Sequence, residues 1–175
     1  DEEPQRINFE KMKILRPAFE KSGTITAANA SKINDGAAAV LITSEEFAHS
    51  YDLKPQAKMT AQASFAHEPD WFTTAPIKAI SKVLSIAGLN KKDIDLWEIN
   101  EAFGPVVMAA IKEYKLDHNK VNIHGGAIAL GHPIGCSGAR ILTTLIHAMI
   151  KREARTGLAT LCIGGGEASA ILVRR

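Results

Sequence analysis

Residues Gly125-Gly126-Ala127-Ile128-Ala129-Leu130-Gly131-His132-Pro133-Ile134-Gly135-Cys136-Ser137-Gly138-Ala139-Arg140 set five glycines around a single histidine. Glycine accepts left-handed backbone and lets the chain approach a ligand closely, which ordinary loop packing seldom needs so often. Histidine is the side chain whose unperturbed pKa suits proton transfer near neutrality. Pro133 restricts His132 to extended or turn backbone, so the imidazole is aimed rather than floppy. The same stretch opens an amphipathic helix that carries Leu142, Leu145, Ile146 and Met149 at helical spacing. Together these features predict a catalytic loop feeding a core-facing helix.

Outward from that loop, the pattern is one of strands alternating with helices. Lys58 to Phe65 alternates loosely and predicts a strand. Pro76 and Gly88 bracket a helix with Ile77, Ile80, Val83, Leu84 and Ala87 on one face. Ile94 to Ile99 is a short strand, and Asn100-Glu101 leads into a helix bearing Phe103, Val106, Val107, Ala110, Ile111 and Tyr114. Leu158 to Ile163 and Ala168 to Val173 form two strands whose Gly164-Gly165-Gly166 link suits a hairpin. Upstream, a short helix is expected around Phe9 to Leu15, and Ser44 can cap another running to about Tyr51. Asp35-Gly36 leads into Ala37 to Thr43, an apolar run that predicts a buried strand. Lys54-Pro55 marks the main break. The pattern predicts a layered α/β domain with a mixed sheet.

Bulk properties narrow the function classes. The 175 residues suffice for the core of one ordinary domain. Twenty-one Lys and Arg against 19 Asp and Glu leave a net charge of +2 with the basic residues scattered, which argues against nucleic-acid or membrane-surface partners. No apolar run reaches the roughly 18 residues of a membrane span. Cys136 and Cys162 lack metal-ligand spacing and are expected to be reduced thiols of an intracellular protein. The chain begins at Asp1 without methionine, as expected of a fragment or processed product.

Three motifs fall where a strand gives way to a loop: Asn100-Glu101-Ala102-Phe103, Gly131-His132-Pro133 and Cys162-Ile163-Gly164-Gly165-Gly166. Strand ends are where ligands gather in open α/β sheets. An amide, an imidazole and a thiol meeting there would stabilise an oxyanion while a proton moves, the need of thioester or carbonyl chemistry. Each has a plainer explanation: Asn100 as a helix cap, His132 as a loop histidine, Cys162 as a small buried hydrophobe. Cys136, beside a helix start, reads as packing. A phosphate-binding loop is disfavoured, because no GxxxxGK[ST] string appears.

These strings resemble the thiolase family in its C-terminal half. The resemblance rests on NEAFG at 100–104, GGAIALGHPIGCSGAR at 125–140, CIGGG at 162–166 and TAANASKINDGAA at 26–38. Within the family, the sequence looks most like the short-chain members that act on acetoacetyl-CoA. The resemblance implies an α/β/α layered domain with a mixed five-stranded sheet. It makes residues 1–54 the end of the N-terminal domain and residues 55–175 the C-terminal domain.

It also implies Claisen condensation of two acetyl-CoA molecules, or the reverse thiolysis, by an acyltransferase. His132 matches the base for the nucleophilic cysteine, Asn100 the holder of an oxyanion-hole water, and Cys162 the residue exchanging the α-proton. The Gly164 N–H matches an oxyanion donor. Ser31 corresponds to a coenzyme A contact, while Phe72, Ala102 and Phe103 correspond to the acyl pocket. Carbonyls of Ala27, Ala28, Ala30 and Ile128 correspond to the potassium site of ion-responsive members. Coenzyme A would come and go as substrate and product, with no tightly bound cofactor. Acyl-CoA thioesters are the implied partners, in a homo-oligomer (dimer or tetramer) of the cytoplasm or mitochondrial matrix. Neither cysteine stands in the context of the family's nucleophile, so the chain alone is expected to be inactive. The alternatives are a thiolase for longer 3-ketoacyl chains and a non-catalytic acyl-CoA-binding relative.

Overall fold

The computed structural model describes residues 3–175. Two four-residue helices, α1 (Glu3–Arg6) and α2 (Phe9–Met12), come first, and α2 stops short of the predicted Leu15. Helix α3 (Glu45–Ser50) starts where Ser44 Oγ accepts the Phe47 N–H at 3.1 Å, the cap expected from the sequence. The remaining elements are β1 (Lys58–Ala66), α4 (Ala75–Ala87), β2 (Leu96–Ile99), α5 (Gly104–Tyr114), α6 (Ala127–Leu130), α7 (Ser137–Arg152), β3 (Thr156–Ile163) and β4 (Glu167–Arg174).

The sheet has four strands in the order β1-β4-β3-β2, not the five implied by the resemblance. The apolar run Ala37 to Thr43 forms no strand and lies largely exposed, with Leu41 and Ile42 open to solvent. A strand needs a neighbour to take its backbone hydrogen bonds, and no described segment pairs with this one. β1 runs antiparallel to β4, and β4 antiparallel to β3 through the expected glycine hairpin. β2 and β3 are parallel, with Ile99 opposite Thr160.

Alternation along β3 assigns the layers. Leu158 and Cys162 belong to a core shared with Ile80 and Val83 of α4 and Val106 and Ala110 of α5. Ala159 and Leu161 belong to a second cluster with Ile141, Leu145 and Met149 of α7. Helices therefore cover both faces of the sheet, which is why its strands are apolar on both sides. This is the α/β/α layering. The same alternation carries Trp97 and Ile99 of β2 to the α4 and α5 side and Leu96 to the α7 side.

Gly166 closes the β3–β4 hairpin with φ of 94°, and its carbonyl accepts the His67 N–H at 3.0 Å. A Cβ there would sit 2.3 Å from the His67 carbonyl oxygen. Gly166→Ala is therefore expected to destabilise the fold by about 2–4 kcal/mol, combining backbone strain with a collision against main chain. A shift of the urea midpoint measures it, and an unchanged midpoint contradicts the hairpin geometry.

Candidate functional site

Asn100 follows β2 directly, and its backbone N–H donates to the Thr160 carbonyl at 2.9 Å, extending the parallel ladder by one step. Its side chain is completely buried. His132 follows the short helix α6 and Gly131, and its N–H donates to the Lys32 carbonyl at 2.7 Å. The Asn100 amide nitrogen lies 3.3 Å from His132 Nε2. His132 Nδ1 lies 2.6 Å from the Ser137 hydroxyl at the start of α7. Amide and imidazole, 32 positions apart in sequence, thus touch. The Asn100 side-chain oxygen Oδ1 is buried and has no protein partner, a group held ready for a ligand or water.

The Thr24–Ile33 segment fastens the two loops to each other. The Ser31 N–H donates to the Ala102 carbonyl at 3.0 Å and the Gly104 N–H to the Asn29 carbonyl at 2.7 Å. Ala30 bridges Phe103, and Ile33 bridges His132. The turn is shaped by its own side chains, with Thr26 N–H donating to Asn29 Oδ1 at 2.7 Å and Ala28 N–H to Thr26 Oγ1 at 3.2 Å. Ser31 accordingly sits against the loop that carries Asn100. Ala27, Ala28 and Ala30 lie in this turn, and Ile128 comes near it at Gly104, where one added Cβ would lie 3.5 Å from the Asn29 carbonyl oxygen and 3.9 Å from Ile128 Cδ1.

Cys162 is buried near the end of β3, in the core cluster that holds Ala102 and is flanked by Phe72 and Phe103. The two phenylalanine rings meet edge to face at 6.0 Å. Gly164 follows two residues later in the hairpin turn. The thiol therefore connects with the Asn100 loop through apolar neighbours, while the imidazole reaches it by a hydrogen bond. Burial pushes the Cys162 thiol up to about 11, so it rests protonated at neutral pH. Burial also lowers the His132 pKa, with the nearby Arg140 cation adding to the effect, so the ring rests neutral. Cys136 precedes α7 as a free, partly exposed thiol.

Besides Ser137, four contributors went unread in the sequence. Asn122 stands in for a missing strand at the open edge of β2: its Oδ1 accepts the Ile99 N–H at 2.8 Å and its Nδ2 donates to the Ile99 carbonyl at 2.9 Å. The same Nδ2 donates to Glu101 Oε1 at 2.8 Å, and Glu101 Oε2 accepts the Ile128 N–H at 3.2 Å. Glu101 thus ties the Asn100 loop to the glycine loop. A Cβ at Gly126 would lie 2.2 Å from its carboxyl carbon, so any side chain there would push the Glu101 carboxylate off these partners. Nothing in the sequence singles out Asn122, whose left-handed φ of 47° is a property of the fold. The other two are Glu98 and Arg140, paired at 3.8 Å beneath the site. Neither shows any local sequence sign of the pairing. Burial raises the Glu98 pKa to about 8; the Arg140 charge opposes this and the Glu101 charge reinforces it.

The family models decide the family. The thiolase C-terminal domain model matches residues 53–175, and the thiolase N-terminal domain model matches residues 1–46. The chain belongs to the thiolase family. It is 51% identical to the mitochondrial acetyl-CoA acetyltransferase of Rattus norvegicus over 176 residues, covering 100% of this chain and 41% of the relative. A cytosolic acetyl-CoA acetyltransferase of Gibberella zeae is 46% identical over 173 residues, covering 99% of this chain and 44% of the relative. Among solved thiolases, the acetyl-CoA acetyltransferase of Bacillus anthracis superposes with a TM-score of 0.96 at 43% identity, covering 99% of this chain and 44% of that one. A thiolase of Ascaris suum, solved with coenzyme A, gives a TM-score of 0.92 at 50% identity over 100% of this chain and 46% of its own. The chain thus spans less than half the length of the thiolases it matches.

Two outcomes test the electrostatics and the loop brace of this arrangement. A carboxyl whose folded pKa is about 8, against an ordinary 4.5, retains its proton in the fold where the unfolded chain has lost it. That contribution to stability is complete below pH 4.5 and fades as pH rises through about 8. Glu98→Gln should remove this alkaline loss, seen as a flatter denaturation midpoint between pH 5 and pH 9 than in the parent chain. Glu101→Ala strands the Ile128 N–H and removes one Asn122 contact, and should lower stability by about 1–3 kcal/mol in the same assay.

Proposed function

We propose that this chain carries the oxyanion and proton-transfer apparatus of an acetyl-CoA acetyltransferase, joining two acetyl-CoA into acetoacetyl-CoA or running the reverse thiolysis. The observation that carries this reading is the contact between the Asn100 amide and His132 Nε2 at 3.3 Å, with the Asn100 side-chain oxygen Oδ1 buried beside it and unpartnered. A thioester α-proton is very weakly acidic, so its removal requires the enolate oxygen to be stabilised at the same moment. Removing one donor from such a hole typically lowers the rate about 10²–10³-fold.

In this reading, His132 takes the proton of an attacking thiol and then holds the thioester oxygen, with Asn100 placing a water beside it. The neutral Cys162 thiol donates a proton to the enolate carbon during thiolysis, and its thiolate removes the α-proton during condensation. The Gly164 N–H adds a second oxyanion donor. Phe72, Ala102 and Phe103 form the acyl wall around Cys162, and Ser31 meets coenzyme A. Carbonyls of Ala27, Ala28, Ala30 and Ile128 are oxygen donors from two segments that approach each other at Gly104, a donor type suited to a hard monovalent cation. A potassium ion held there would brace the loop beside Asn100. Residues 1–54 then belong to the end of the N-terminal domain and residues 55–175 to the C-terminal domain.

Neither Cys136 nor Cys162 is the nucleophile, so complete turnover requires a thiol this chain does not supply. Enolisation does not require it. The chain should exchange the α-protons of acetyl-CoA for deuterium in D₂O, and Cys162→Ala should slow that exchange about 10²-fold or more. The parent chain should give no acetyl-CoA from acetoacetyl-CoA and coenzyme A. Equal exchange in the Cys162→Ala variant, or thiolysis by the unassisted chain, overturns the assignment.

A further inference from the structure

We propose that Ser137 is a positioning residue that selects the tautomer of His132, placing the proton on Nδ1 and leaving the Nε2 lone pair toward Asn100 and the substrate. The inference deepens the acyl-transfer reading and rests on it for its catalytic meaning. Its structural basis stands by itself.

Ser137 is completely buried at the first position of α7. Its oxygen lies 2.6 Å from His132 Nδ1 and 3.1 Å from the Pro133 carbonyl oxygen. A hydroxyl has one proton to give and lone pairs with which to accept. The Pro133 carbonyl can only accept, so the contact between the two oxygens is a hydrogen bond only if Ser137 gives its proton to Pro133. The hydroxyl must then accept from the ring, and Nδ1 must carry hydrogen. On a neutral imidazole this leaves Nε2 bare.

The opposite edge of the ring agrees. Nε2 faces the amide nitrogen of Asn100 at 3.3 Å, and an amide nitrogen only donates. A chain of donors therefore runs in one direction, from Asn100 through His132 and Ser137 to Pro133. Reversing it requires three linked changes: Ser137 turning its proton to Nδ1, the Pro133 oxygen losing that bond, and the Asn100 amide rotating to offer Oδ1.

The consequence for catalysis is specific. A bare Nε2 can receive the proton of a thiol, and once charged it becomes a donor to the thioester oxygen without any movement of the ring. The reversed tautomer could donate at once but could not act as a base at that nitrogen. The groups facing the ring are Asn100 from the loop after β2, Ser137 and the Arg140 cation from α7, and Glu98 of β2 paired behind Arg140.

The test is a long-range proton–nitrogen correlation on the ¹⁵N-labelled 175-residue chain at pH 8, where His132 is neutral. The parent should show Nε2 as the lone-pair nitrogen. Ser137→Ala removes the acceptor at Nδ1, so hydrogen should move to Nε2 with the Asn100 amide turned to offer Oδ1, shifting the tautomer ratio about tenfold or more. Ser137→Thr retains the hydroxyl and should restore the parent pattern. An Nε2–H in the parent, or an unchanged ratio in Ser137→Ala, overturns the proposal. Deuterium exchange of acetyl-CoA in the same variants separates the two claims. The reversed tautomer presents Nε2–H to the thioester oxygen without prior charging, so exchange in Ser137→Ala should change with it; a tautomer that moves while exchange stays constant supports Ser137 as the selector and removes His132 Nε2 from the proposed oxyanion hole.

Discussion

The parallel pairing of β2 with β3 is the constraint from which the site follows. Ile99 sits opposite Thr160, and the ladder reaches one residue further to the Asn100 N–H. That register makes the Asn100 loop and the Cys162 turn leave the sheet at the same end. A parallel pair cannot be joined by a tight turn, so the connection must be long. Here it consists of α5, α6 and α7, and the His132 loop lies inside it. One strand pairing therefore delivers the amide and the thiol, and the crossover it requires delivers the imidazole.

The edge position of β2 creates a second requirement. An edge strand leaves N–H and C=O groups open. At Ile99 both are taken by the side chain of Asn122, which then passes its remaining hydrogen-bonding capacity to Glu101. Glu101 holds Ile128 in turn. The device that closes the sheet edge is also the one that fixes the loop before His132, so satisfying the backbone and positioning the imidazole are one arrangement. Glu98 and Arg140, 3.8 Å apart, lie below it on the α7 side of the sheet.

How much of this could be read in the sequence depended on the range of the interaction. Pro76 and Gly88 bounded α4 correctly, because a helix start and a helix stop are local events. Ala37 to Thr43 misled, because an apolar run looks the same with or without a strand beside it. His132 and Asn100 stood out through their frames, the glycines in one case and a strand-to-helix junction in the other. Ser137 did not, although it is adjacent to Cys136, which the helix start brought under scrutiny. Its role depends on a side-chain contact five residues back that no helical periodicity marks. Glu101, Asn122, Glu98 and Arg140 were hidden for a stronger reason: their partners lie tens of positions away, and a single charged or amide residue carries no trace of them.

The burial of Cys162 also governs how the protein withstands chemical attack. Thiolates, not thiols, react with peroxides and alkylating agents, and a group with a pKa of about 11 is ionised only to roughly one part in ten thousand at pH 7. Cys136 is the more solvent-accessible sulfur of the two. Oxidants and labelling reagents will mark Cys136 first, and Cys162, the proton carrier of the proposed chemistry, is shielded by the same apolar surroundings that keep its own proton in place.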